Sequence, residues 1–176
     1  MPDQQSARDQ LLAGALQSYR DEYKELSDTW RHVEGKAQGT ITVAGIFLAA
    51  AFAFVRDLTG AGTGLLEKSI LAVAVGLLTA TVILAVLSLR VREVVAPPLG
   101  ENLDELITDL SSVRDAEEIA ERLPRFVGDQ LSMWRSANEE VDRLTKSKAG
   151  LVALAQKLLL VAIGLVALLT SITIFT

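Results

Sequence analysis

Apolar positions along the chain follow two rhythms, and the change from one to the other divides it into blocks. From Leu12 they fall at Leu12, Leu16, Tyr19, Tyr23, Leu26, Trp30, Val33 and Ala37, in alternating steps of four and three. That 3.5-residue repeat predicts an amphipathic helix within 1–36 whose apolar stripe must meet another helix. The stripe reads equally as the seam of an oligomeric coiled coil or as a face buried within the chain. Under either reading Leu16, Tyr23, Leu26 and Trp30 are its contact residues. Residues 1–10 are polar and are expected to fray.

Past Lys36 the stripe gives way to apolar residues on every side. No ionisable side chain stands between Lys36 and Arg56, and Ile41, Val43, Ile46, Phe47, Leu48, Phe52, Phe54 and Val55 surround the helix axis. A segment of about twenty such residues has lipid as its solvent, so 37–56 is read as the first transmembrane helix. The glycine-rich stretch 57–68 reads as an external hairpin loop opened by a charged turn at Arg56-Asp57, and 69–90 as the second span. Gly45, Ala49 and Ala53 on the first, and Ala72, Gly76 and Ala80 on the second, form small-residue ridges suited to close helix packing. Residues 149–176 form the third span with an interfacial start. Lys157 lies about two turns into it, either snorkelling to the headgroups or facing a pore.

The block 91–148 is polar again. Pro97-Pro98 stops the second helix. Asn102, three residues before Glu105, resembles a capping box, followed by an apolar face at Leu103, Leu106, Ile107 and Leu110. A short helix is expected over 116–123, interrupted by Pro124. A further helix over 125–148 steps by fours and threes through Val127, Leu131, Trp134, Asn138, Val141 and Thr145. Both heptad helices lead into spans, so they are expected to lie side by side, with Trp30 and Trp134 as packing anchors. The fold class is therefore an all-α membrane protein, with three transmembrane helices and cytosolic helical extensions forming a stalk or bundle. Basic residues cluster at Arg20, Lys24, Arg31 and Lys36 before the first span and at Arg90, Arg92, Arg143, Lys146 and Lys148 after the second. By the positive-inside rule the N terminus and 91–148 are cytosolic. The residues before the first span are too polar for a cleavable signal peptide, so that span is expected to be retained.

Composition narrows the chemistry. Half of the side chains are hydrophobic while 22% are charged, which requires segregated lipid-facing and water-facing blocks. With no cysteine and one histidine, His32, disulfides, thiol nucleophiles and His-rich metal sites are excluded. A net charge of -5 argues against nucleic acid as a partner. No reaction centre stands out. The carboxylates Asp104, Glu105, Asp109, Asp115, Glu117, Glu118 and Glu121 read as a solvated face, and Ser111-Ser112 has no neighbouring histidine to act as its base. Leu99-Gly100-Glu101 matches a fragment of a cyclic-nucleotide phosphate cassette without the β-roll that carries one. The first two spans contain no charged pathway for a carrier. Their hydroxyls at Thr40, Thr42, Thr79, Thr81 and Ser88 either line a pore or bond their own backbones.

An amphipathic N-terminal helix leads to Glu34-Gly35-Lys36-Ala37 at the entrance of the first span, then a short hairpin, a proline-containing exit, a helical segment and a last span entered past Lys146 and Lys148. This arrangement resembles the transmembrane effectors of Pycsar antiphage defence, with Glu34 where an aspartate is more usual. The resemblance implies a non-enzymatic effector in the bacterial inner membrane, a homo-oligomer in contact with membrane lipid. It implies a response to cyclic UMP or cyclic CMP made by a partner pyrimidine nucleotide cyclase, then loss of membrane integrity and abortive infection. No metal or further cofactor is implied. Phosphate chemistry favours guanidinium donors, so Arg114, Arg122, Arg125 and Arg135 are the candidate ligand contacts, or else solvated charges paired along their helices. The alternative function is a coiled-coil membrane anchor that recruits a cytosolic partner through Leu16, Tyr23, Trp30 and Trp134.

Overall fold

The structure, a computed structural model, describes residues 2–58, 64–90, 108 and 116–175, with side chains described for 10–54, 64–90, 108 and 122–173. Among the described residues there are three long helices: α1, Pro2–Leu58; α2, Leu65–Leu89; and α3, Ala116–Phe175. All three are long and apolar enough to cross a membrane, and there is no strand among the described residues. The fold is all-α, and its three candidate spans mark a multi-pass membrane protein.

Three boundaries differ from the sequence reading. Residues 2–10 are helical, with Pro2 at the first position, where a missing N–H costs nothing and a fixed φ suits the helix. The expected loop 57–68 is cut at both ends, since α1 runs to Leu58 and α2 begins at Leu65. Gly64 is the N-cap of α2, and its backbone N–H donates to the Glu67 carboxylate at 3.1 Å. This is the returning half of a capping box, and it also places an acid at the positive end of the helix. Pro124 does not interrupt α3, which continues from Ala116 through it. A proline removes one backbone hydrogen bond and crowds the preceding turn, whereas the helix retains fifty-odd other residues to hold its course. The candidate capping box at Asn102, the residues Pro97-Pro98 and the segments at 99–101 and 111–112 lie outside the described residues.

The chain divides into two compact units, Met1–Trp30 with Arg92–Thr145, and Arg31–Val91 with Lys146–Thr176. We refer to them as the polar and the apolar unit. Helices α1 and α3 each contribute residues to both.

In the apolar unit all three helices share one core. Val33 and Ala37 pack with Val152, and Leu89 and Ala149 lie against them. Ala44 packs with Leu78, Leu159 and Ala162, and Ala51 with Leu71 and Leu169. Read through these clusters, α1 and α3 run in the same direction and α2 runs against them. Buried positions recur every seven residues on each helix: Ala37, Ala44 and Ala51 on α1; Leu71, Leu78 and Ala85, with Ala74, Thr81 and Ser88, on α2; Ala155, Ala162 and Leu169 on α3. The heptad spacing legible in the polar stretch of α1 thus continues where hydropathy no longer reveals it. Alanine at the contact lets the backbones approach, and packing then comes from dispersion at short range rather than from expulsion of water. Side chains off this seam, including Ile46, Phe52, Val73, Ile83, Val86, Leu160 and Val161, are exposed, as expected where lipid is the solvent.

In the polar unit, Trp134, Ala137, Asn138, Val141 and Leu144 of α3 are buried. Leu12, Leu16, Tyr19, Tyr23, Leu26 and Trp30 of α1 are half-buried on the predicted stripe.

Candidate functional site

Within the polar unit α1 and α3 border an open cleft of about 380 Å³, lined by Tyr19, Glu22 and Leu26 from one helix and Arg135, Asn138, Glu139 and Asp142 from the other. The spacing in sequence explains the lining: 19, 22 and 26 share one helical face, as do 135, 138, 139 and 142. Asn138 ties the two walls together. Its side-chain N–H groups donate to the Tyr19 carbonyl at 3.1 Å and to the Glu22 carboxylate at 2.8 Å. Two acceptors facing one end of the amide identify that end as nitrogen. Its oxygen is buried with no partner among the described residues.

Beside the cleft, the Trp134 ring meets Tyr23 edge-on at 5.6 Å between centroids, and the Arg20 guanidinium lies 5.9 Å from the Trp134 ring centre. These are attractive quadrupole and cation–π geometries. Four buried polar atoms on this stretch of α3 lack a partner among the described residues: Gln130 Nε2, Trp134 Nε1, Asn138 Oδ1 and Thr145 Oγ1.

The charge of the cleft is acidic, with Glu22, Glu139 and Asp142 against Arg135. Arg135 donates through Nε to Glu139 at 2.8 Å. That hydrogen bond, then the Glu139 charge, raises its pKa above the ordinary guanidinium value. The pair uses the Nε–H of Arg135, whose side chain is 68% exposed, and leaves the terminal N–H donors of the guanidinium for a phosphate. Arg122 and Arg125 are exposed, and Arg114 lies outside the described residues. The four arginines selected from sequence are therefore not seen assembled around one site.

Of the expected contact residues, Tyr23 and Trp134 touch each other, and Leu26 lines the cleft. The small-residue ridges point elsewhere. Gly45, Ala49, Ala53, Ala72 and Gly76 are exposed and Ala80 is half-buried, and a side chain built at Gly45 or Gly76 meets nothing within 4 Å. Packing within the chain uses a neighbouring face of α1, through Ala37, Ala44 and Ala51. Ridge spacing of four and seam spacing of seven can coexist on one alanine-rich helix, so small-xxx-small alone did not identify the occupied face.

Sequence reasoning also missed a second polar contact, in the apolar unit. Lys148 Nζ donates to Glu34 Oε1 at 2.7 Å, with the lysine side chain 7% and the glutamate 32% exposed. Lys148 occupies the α3 heptad series of Trp134, Val141, Ala155, Ala162 and Leu169, so it is a charge in a core position. The signal available in sequence was that register, extended from 141 to 155. Below it, Gln156 reaches Thr40 at 3.5 Å. Hydroxyls of the spans bond their own helices, with Thr40, Thr42, Thr79 and Thr81 each donating to the carbonyl four residues back and Ser88 to the one three back. Lys157 is exposed. Among the described residues no group of three or more acidic, cysteine or histidine side chains is arranged to hold a metal.

Compared with protein-family models, curated proteins and solved structures, the chain matches none.

Proposed function

We propose that this protein is a signal-responsive membrane effector of the Pycsar type, without enzymatic activity of its own. The observation that carries the reading is that α1 and α3 each belong to both the polar and the apolar unit. Each of these helices thus contributes residues to a cleft-bearing polar unit and to the apolar core of the candidate spans. The polar unit supplies a cleft between those same two helices, where a small ligand can alter their spacing. On this reading the signal is a cyclic pyrimidine nucleotide from a partner cyclase, the site of action is the bacterial inner membrane with the N terminus inside, and the response is loss of the permeability barrier. On this reading the terminal N–H groups of Arg135, which Glu139 leaves free of its Nε contact, take the ligand phosphate.

An anchor that recruits a partner through its heptad faces needs those faces open. Trp134 is buried and in contact with Tyr23, which weighs toward the effector.

The test uses purified protein in liposomes loaded with a self-quenched dye, with cyclic UMP, cyclic CMP, cyclic AMP and cyclic GMP added singly. Release with a pyrimidine nucleotide and not with the purine ones is expected. Silence with all four, from helical protein inserted in the bilayer, rejects the reading.

A further inference from the structure

The apolar seam between α1 and α3 has a weakness that follows from its own regularity. Ala37, Ala44 and Ala51 stand at successive heptad positions of α1, and Ala155 and Ala162 at successive positions of α3. Sliding one helix by seven residues past the other places alanine on alanine again, so the small-residue contacts return almost unchanged. A strict repeat of identical residues holds helices together without specifying their register, and a polar residue at a core position is what specifies it.

An ion pair crosses this seam at Glu34–Lys148, at 2.7 Å and largely buried. A one-heptad displacement in one direction brings Ala155 to the level of Glu34, and in the other it carries Lys148 toward the level of Ile41. Both part the ammonium from the carboxylate and set one of them facing apolar side chains, where burial of a charge away from its counter-ion is strongly disfavoured. We infer that Glu34–Lys148 is a register lock, which disfavours the one-heptad displacements of α3 against α1 that the repeated alanines would otherwise admit, and so helps define the resting packing of the apolar unit. The lock stands on the seam alone; its use as the control point for permeability rests on the effector reading above.

The chain has no cysteine, which makes cross-linking direct. Full-length protein in liposomes is oxidised with copper phenanthroline in three double-cysteine backgrounds. Val33→Cys with Val152→Cys reports the register seen here, in which those residues share a cluster. Thr40→Cys with Val152→Cys, and Val33→Cys with Leu159→Cys, report a shift of one heptad in either direction. With Glu34 and Lys148 present, only the first background should cross-link. Replacing both charges by apolar residues, Glu34→Leu with Lys148→Met, removes the lock without leaving a buried unpaired charge, so the protein has no electrostatic reason to unfold. A shifted pair should then cross-link at least threefold above its background, and the charge exchange Glu34→Lys with Lys148→Glu should return it to background.

Cross-linking confined to the first background in the doubly apolar variant overturns the lock and leaves the ion pair a local stabiliser. Failure of the charge exchange to suppress the shifted pairs overturns it as well, because the effect would then come from side-chain volume. Dye release is followed in the same vesicles. Shifted cross-links without release keep the lock and count against the effector reading, so the two ideas fail separately.

Discussion

The polar and apolar units use the same seven-residue packing and fill it in opposite ways. In the polar unit the seam of α3 carries Gln130, Trp134, Asn138 and Thr145, each with a buried polar atom that finds no partner among the described residues. In the apolar unit the equivalent positions are alanine, leucine and valine, the span hydroxyls named above bond their own backbones, and the Glu34–Lys148 ion pair interrupts the pattern. The difference follows from the solvent. Water rewards burial of aromatic and aliphatic surface, and a helix pair can tolerate a few unsatisfied polar atoms at about 1–3 kcal/mol each. Lipid gives no such reward, so the helices must touch closely and leave little unpaired.

Breaking the exception in the apolar unit should have the largest effect. Lys148→Met removes the buried ammonium that Glu34 accepts from, and loss of one partner of a buried pair costs roughly 3–5 kcal/mol. Because Glu34 keeps about a third of its surface exposed, a loss near the lower end, about 3 kcal/mol, is expected in denaturant unfolding from mixed micelles. Next comes overpacking of the seam. Ala44 is fully buried against Leu78, Leu159 and Ala162, and Ala44→Leu should lower stability by about 2 kcal/mol. An unchanged unfolding midpoint there would mean that the helices are not in close contact.

Changes of the opposite sign are expected on the polar side. Thr145→Val replaces a buried hydroxyl that lacks a partner with a methyl group of the same shape, and should raise stability by about 1 kcal/mol. A loss would show that the hydroxyl is satisfied after all, and would weaken the contrast between the units. The smallest effect belongs to Gly45→Leu. An added side chain there meets nothing within 4 Å, so stability of the single chain should stay within about 0.5 kcal/mol. If the variant instead changes the size of the protein in micelles measured by light scattering, the exposed ridge is where a second copy packs.

How much of this was legible in the sequence depended on contrast between neighbouring residues. The stripe from Leu12 to Ala37 shows because polar residues separate its members, and the spans show because charges are missing. Inside a span that contrast vanishes: Ala44 and Gly45 are equally small, and only the packed chain separates the buried Ala44 from the exposed Gly45. The Gly64 and Glu67 signal for the start of α2 was overlooked because glycine at a cap offers no side chain to recognise. Lys148 was read as one of several basic residues near a membrane edge, although its heptad position placed it in the seam. The candidate arginines were chosen by chemistry alone, and Arg135 follows the other reading open to it, a pair along its own helix with Glu139 one turn on.

The hydroxyls of the spans have one more implication. Thr40, Thr42, Thr79, Thr81 and Ser88 all give their protons to backbone carbonyls of their own helices. Of these, Thr42 and Thr79 are exposed, and what they still offer outward is oxygen lone pairs. Any water-filled path that these helices come to line would therefore solvate a sodium or potassium ion better than a chloride, and its conductance would be cation-selective.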